Sequence, residues 1–300
     1  MAQQLSTSTE QQIWHLCQRL EFFANHQPLA LQKLAASSTN DNFYIHTHRG
    51  HYLLRHYAPF VEGVCRQQEL RCQHAAAAVD VAPAPLCLNN HQRMLVSEFL
   101  THSRHFDWQL HHGELWQLVS KLVSLHRLRV QTPVLDAVQY LQQLKSEIPP
   151  TLWTEQDDAD WLQLLAAAET FVKLPQDIVL CHMDLHSGNI LLQQQKLWLI
   201  DFEYCQLADS SFDLAALSIN LGMTSSEERK MSVYYLEHRA QAAAALPEKL
   251  QLAKQIYSGF CWLWYKNVPN SAAKAKRAQD KLRQLWHIAA SPSTESEMVR

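Results

Sequence analysis

The sequence predicts an α+β protein with a small, sheet-containing N-terminal half and a larger, mainly helical C-terminal half. Three observations carry that expectation. Residues 31–57 and 86–99 hold short runs rich in strand-forming side chains, separated by turn-forming clusters. After residue 100, apolar residues recur every three or four positions, as in Leu115, Leu118, Val119, Leu122 and Leu125. Only 6 glycines occur in 300 residues, against a usual ~7 %, which suits a helix-rich chain with few glycine turns. At 47 % hydrophobic the chain can bury a large core, and its length favours two domains or lobes.

The elements follow in order. Thr7-x-x-Glu10 forms a capping box for a helix over 7–24, with Ile13, Trp14, Cys17 and Leu20 at helical spacing. Residues 31–35 read as a strand and 37–42 (Ser-Ser-Thr-Asn-Asp-Asn) as a polar turn. Residues 43–48 and 51–57 flank Arg49-Gly50 as a hairpin. A helix over 62–78 is broken by Pro83 and Pro85, and 86–88 with 94–99 form a second hairpin. Beyond 100, helices are expected around 115–125 and 161–168, then over 212–222, 226–245, 248–267 and 272–290. The apolar runs 178–181 and 197–200 read as buried strands, and 291–300 as a frayed or disordered tail.

Composition excludes several classes. A net charge of −3 without a Lys/Arg-rich block gives no footprint for nucleic acid. The polar start at 1–7 lacks the apolar core of a secretory signal. No apolar run approaches the roughly 18 residues of a membrane span. Seven scattered cysteines with no Cys-x-x-Cys pair read as reduced thiols, and a cytoplasmic protein is the expectation.

Residues 182–204 carry the chemistry: His182-Met-Asp184-Leu-His186-Ser-Gly188-Asn189, then Leu199-Ile-Asp201-Phe-Glu203-Tyr204. Phosphoryl transfer asks a protein for positioning and charge neutralisation. Asp184, just past the strand 178–181, can accept or orient an acceptor hydroxyl. Asn189 and Asp201 offer the hard oxygen ligands that magnesium takes. Gly188 lets the backbone turn closely before Asn189. A nucleotide also needs a cation on its phosphates. Arg55 on the third strand, with Glu69 on the following helix, has the order of a kinase Lys–Glu pair. The turn at 37–42, including Ser38, Thr39 and Asn40, lies between the first two strands, where amides and hydroxyls can cradle phosphates. His182-x-Asp184-x-His186 also fits a hydrolase metal site, and alternating His46, His48 and His51 read as a hairpin's solvent face.

The motif His182-x-Asp184-x-x-x-x-Asn189 followed by Asp201-Phe-Glu resembles the aminoglycoside phosphotransferase/choline kinase family. Its wording is most similar to bacterial thiamine kinases, with choline and ethanolamine kinases next. The resemblance runs through the turn at 37–42, Arg55, Glu69, 96–100, Leu125-His126, both motifs and Phe212-Asp213. It implies a two-lobed, protein-kinase-like fold using ATP and Mg2+: a nucleotide-binding lobe at 1–96, a connector at 97–103, and a catalytic and acceptor lobe at 104–290. It further implies Asp184 as catalytic base and Asn189 and Asp201 as magnesium ligands. His182 and Asp213 become structural supports of the catalytic loop, and Ser97, Glu98 and Phe99 present backbone groups to adenine. Two departures stand out: the nucleotide loop lacks glycines, and Arg55 stands where many members carry Lys.

For the acceptor, Tyr257-Ser-Gly-Phe-Cys261-Trp262-Leu-Trp264-Tyr265 offers aromatic faces of the kind that attract cations. It is similar to the aromatic helix lining the choline site of choline kinases, with Trp264 best aligned, Trp262 and Tyr265 beside it, and Cys261 where a second Trp is usual. Glu203 can serve a second metal or face a cationic acceptor. The expectation is a kinase for a small cationic metabolite, thiamine first and choline or ethanolamine second. Aminoglycoside or sugar phosphotransfer, and a non-catalytic nucleotide-binding protein on the same fold, remain the alternatives. The oligomeric state is not fixed by the sequence.

Overall fold

A computed structural model describes residues 8–34, 40–58, 64–239 and 246–290. They fall into two compact units. One holds the described residues up to Val130 together with Ser187–Cys205; the other holds Gln131–His186 and those from Gln206 onward.

The first unit is built on an antiparallel five-stranded sheet of order β1-β2-β3-β5-β4. Its strands are β1 (Pro28–Lys33), β2 (Asp41–Thr47), β3 (Gly50–His56), β4 (Pro85–Asn89) and β5 (Met94–Glu98). Alternation decides the faces. Phe43, Ile45 and Leu54 are fully buried and join Met94 and Val96 in one core. Pro85 starts the edge strand β4, where a missing N–H costs little. Two sequence expectations need correction here. The helix expected over 7–24 is α1 (Ser8–Cys17) and a short α2 (Glu21–Ala24). Leu20 leaves the helix with an extended backbone, and the break keeps Ile13, Cys17, Leu20 and Phe23 all in the core. Asp41 and Asn42, read as turn, are strand residues, because they pair with His56 and Arg55. Ser37, Ser38 and Thr39 lie outside the described residues.

Helix α3 (Arg66–Ala77) buries Glu69, Cys72, Gln73 and Ala76, one stripe at helical spacing. After β5, the short β6 (Arg104–His105) leads to α4 (Leu115–His126). A three-stranded sheet of order β6-β8-β9 closes the unit, with β8 at Ile190–Gln193 and β9 at Lys196–Leu199. Its hairpin β8–β9 places Asn189 just before the first strand and Asp201 just after the second.

The second unit is mainly helical. β7 (Ile178–Cys181) pairs antiparallel with β10 (Gln206–Asp209), and around them lie α5 (Ala137–Ser146), α6 (Glu155–Phe171), α7 (Ser211–Asn220), α8 (Ser225–His238), α9 (Leu246–Asn267) and α10 (Ala272–Ala290). α9 packs on α10, α7, α6 and α5. It is buried nearly all round, and three of its lysines end on carboxylates: Lys249 on Asp209, Lys254 on Glu228 and Lys266 on Asp157. Lys249 and Asp209 are both buried, a situation tolerable only for a paired charge.

Gly259 lets α9 meet α6. A Cβ there would stand 2.4 Å from Leu164 Cδ2, and Leu164 is fully buried. Gly259→Val is therefore expected to destabilise the fold by about 2 kcal/mol or more, since an overpacked core forces neighbours off their rotamers. A lowered urea midpoint with an unchanged slope would show it; a wild-type midpoint would mean that α6 and α9 separate freely.

None of the seven cysteines forms a disulfide. Burial pushes the Cys17 thiol up to about 12, away from reactive thiolate. No helix among the described residues is long and apolar enough to cross a membrane.

Candidate active site

In the first unit, β3 and α3 bring Arg55 and Glu69 together as the sequence order suggested. Arg55 Nη1 donates to Glu69 Oε1 at 3.1 Å and to Asp201 Oδ1 at 2.7 Å. Burial works against the Arg55 charge, but Asp201 and then Glu69 outweigh it and hold its pKa above the ordinary arginine value. Arg55 is thus a fixed cation whose fork suits phosphate oxygens. The Ile200 amide donates to the Asn189 carbonyl at 3.0 Å, which sets Asn189 beside the segment bearing Asp201. Asp201 itself adopts a left-handed backbone, φ 69°. Asn189 and Asp201 present amide and carboxylate oxygens, and that donor set fits a hard dication such as Mg2+.

Two partners of this cluster, Arg66 and Tyr57, escaped the sequence reading. Arg66 Nη1 donates to Glu69 Oε2 at 2.9 Å and to Glu203 Oε2 at 3.0 Å. Its guanidinium lies 3.8 Å over the Tyr57 ring. The signal was present, because Arg66 stands three residues before Glu69 and shares its helix face. Asn40, a described residue of the predicted nucleotide loop, is buried with Nδ2 3.5 Å from Glu203 Oε2. Glu203 is itself buried; burial first, and the Asp201 charge second, raise its carboxyl, while Arg66 opposes them.

Ser97 and Glu98 close β5, and Phe99 follows it. Ser97 is buried and pairs with Leu53 and Pro85. The Glu98 amide donates to Ala84 O at 2.9 Å and the Phe99 amide to His51 O at 3.2 Å, so both donors are committed inside the unit. The Phe99 ring meets Tyr44 edge-on, 4.8 Å between centroids.

In the second unit, Asp213 sits in the first turn of α7 with no exposed surface. Its Oδ2 accepts from the His182 amide at 2.7 Å and its Oδ1 from the Met183 amide at 2.8 Å. That double anchor fixes a turn in which Met183 takes φ 68°, a conformation most residues avoid. His182 is fully buried, and its Nδ1 lies 3.4 Å from the Asp184 amide. Asp184 Oδ2 lies 3.6 Å from His186 Nε2. The residue after Asp184 is held too: Asn220 Nδ2 donates to Leu185 O at 2.8 Å and to Tyr257 Oη at 3.0 Å. Neither Asn220 nor this use of Tyr257 has a local sequence signal.

The Asp184 charge reaches α9. Burial first, then neighbouring charges including Asp184, raise the pKa values of Tyr257, Cys261 and Tyr265; Cys261 is pushed up to about 12. Positions 257, 261, 264 and 265 form one stripe of the helix. Trp264 is half-buried and meets Tyr265 edge-on at 5.1 Å. Lys274 Nζ already lies 5.5 Å from the Tyr265 ring centre. Trp262 points elsewhere: it is fully buried and stacks on Trp153 at 5.6 Å.

The sheet-bearing N-terminal region and helical C-terminal region make an α+β, protein-kinase-like fold. It is similar to choline kinase LicA from Streptococcus pneumoniae, with a TM-score of 0.79 at 18 % identity, covering 93 % of this chain and 100 % of that one. A structure of LicA in complex with AMP gives a TM-score of 0.77 at 18 % identity over 93 % and 100 % of the two chains. In sequence, 106 residues are 34 % identical to Protein LicA of Haemophilus influenzae, covering 34 % of this chain and 31 % of that protein. The chain thus spans less than half the length of the curated relatives it matches. A family model described as the phosphotransferase enzyme family matches residues 30–251, and the chain belongs to that family.

Proposed function

We propose that the chain is a Mg·ATP-dependent kinase that phosphorylates a hydroxyl of a small cationic metabolite, with thiamine the first acceptor and choline or ethanolamine the second. The observation that carries the nucleotide part is Arg55, a buried cation gripped between Glu69 and Asp201. Arg55 would bind phosphate oxygens, and Glu69 would keep its fork oriented. Asn189 and Asp201 would hold the magnesium ion, which supplies charge neutralisation on the transferring group. Asp184 would orient the acceptor hydroxyl and take its proton as oxygen bonds to the γ-phosphorus and the bond to the β-phosphate oxygen breaks. His182 and Asp213 would keep that carboxylate in place through the backbone.

For the acceptor, the support is Asp184 within electrostatic reach of the Tyr257–Cys261–Tyr265 stripe, with Trp264 alongside. A carboxylate whose charge acts on aromatic side chains suits an organic cation. The wording of the 182–189 and 200–204 motifs supports thiamine, and the fold likeness to a choline kinase supports choline. A coupled ADP-release assay over thiamine, choline, ethanolamine, sugars and aminoglycosides tests the reading. Magnesium-dependent turnover with a cationic alcohol is expected. Turnover confined to a sugar or aminoglycoside would remove the cationic acceptor and keep the kinase. Nucleotide binding without turnover on any acceptor would favour a non-catalytic binder.

A further inference from the structure

Glu69 is a carboxylate with no exposed side-chain surface, and its two oxygens serve different arginines: Oε1 takes Arg55 and Oε2 takes Arg66. Arg55 also reaches Asp201, and Arg66 also reaches Glu203, two residues further on. The chain between Asp201 and Glu203 closes these contacts into a ring of alternating charge. The ring's two arginines are not equivalent. Arg55 points its shared nitrogen at a carboxylate that stands in the proposed metal position. Arg66 instead pairs with Glu69 and Glu203 and is clamped over the Tyr57 ring, which is itself buried. Two further contacts tie α3 to the same segment: Gln68 Nε2 donates to Cys205 O at 2.9 Å, and Cys72 Sγ lies 3.8 Å from that oxygen.

We propose that Arg66 is a positioning residue of the nucleotide site, holding Glu69 and Glu203 in place while Arg55 exchanges Asp201 for a phosphate. The inference rests on the nucleotide reading above and adds a residue to it. Without Arg66, Arg55 would be the one cation paired with Glu69 among the described residues, and it is the residue that turns to phosphate. Arg66 supplies the second, and through Glu203 it braces the left-handed turn at Asp201. A guanidinium is required because one nitrogen spans two carboxylates while the flat face rests on an aromatic ring; an ammonium offers a point charge without that face.

The test compares wild type with Arg66→Met, Arg66→Lys and Arg66→Ala. Isothermal titration with Mg2+ and a non-hydrolysable ATP analogue reads binding, and steady-state kinetics separates KM from kcat. In Arg66→Met, which keeps an apolar stem over Tyr57, analogue affinity and apparent Mg2+ affinity are each expected to fall about tenfold. kcat at saturation should change less than about threefold. Arg66→Lys should recover part of the loss, and added guanidinium should recover part of it in Arg66→Ala. Unchanged binding in Arg66→Met would overturn the proposal. So would a loss that neither lysine nor guanidinium restores, accompanied by a matching fall in thermal stability, because that pattern is structural damage alone. Absence of Mg·nucleotide binding in the wild type would overturn the underlying reading and the inference with it; this is distinguishable, because no variant is needed to see it.

Discussion

Asp184→Asn is expected to lower kcat by roughly two to four orders of magnitude, the range typical of a lost general base. The amide keeps the size of the carboxylate and cannot take the proton. The loop should hold its shape, because its anchors are backbone groups: the His182 and Met183 amides on Asp213, and Leu185 O on Asn220. The contact with His186 is partly exposed, so its loss should cost less than about 1 kcal/mol. Affinity for Mg·ATP should stay within about threefold, since the proposed ligands are other residues. Single-turnover rates and nucleotide titration check both halves. A variant that retained near wild-type turnover would remove Asp184 from the chemistry, whatever its binding.

Asp213→Ala should damage stability and turnover together. The buried His182 amide and the part-buried Met183 amide lose their acceptor, and each unpaired donor costs about 1–3 kcal/mol. A drop of about 2–5 kcal/mol in unfolding free energy is therefore expected, with a turnover loss as Met183 relaxes from its left-handed conformation. Asp213→Asn keeps the shape and one acceptor oxygen, and should fall between wild type and Asp213→Ala. Chemical denaturation reads the first quantity and the ADP-release assay the second. If Asp213→Ala unfolded like the wild type, the two hydrogen bonds would be incidental to the loop.

The parts of the fold that were legible are local. The β2–β3 hairpin announced itself through Arg49-Gly50 and its alternation, and α4, α7, α9 and α10 through helical spacing. β8 and β10 did not; β10 pairs with β7, far back in the chain, and no local pattern announces that partner. Asp41 and Asn42 carry turn propensity that cross-strand pairing overrides. At the site, the acidic and amide residues were legible because their spacing is their signature. Arg66 was not, although it lies beside Glu69 on the helix, because an arginine near a helix start also reads as a solvated charge. Within the aromatic run, Trp262 and Trp264 lie about 200° apart on a helix, and no local pattern says which of the two faces the core. Only the packing of α9 against α5, α6, α7 and α10 decides that.

The bond between Arg55 and Asp201 has a thermodynamic consequence. Each occupies the other: the cation that would hold phosphate holds a carboxylate, and the carboxylate that would hold metal holds an arginine. If Arg55 takes phosphate and Asp201 takes metal, whichever ligand arrives first would break that pair, and the second would then find its residue released. On the proposed reading, nucleotide and dication would heighten each other's affinity by one common factor, since linkage is reciprocal. A single ion pair would thus keep the site closed to either ligand alone and bias it toward the loaded complex.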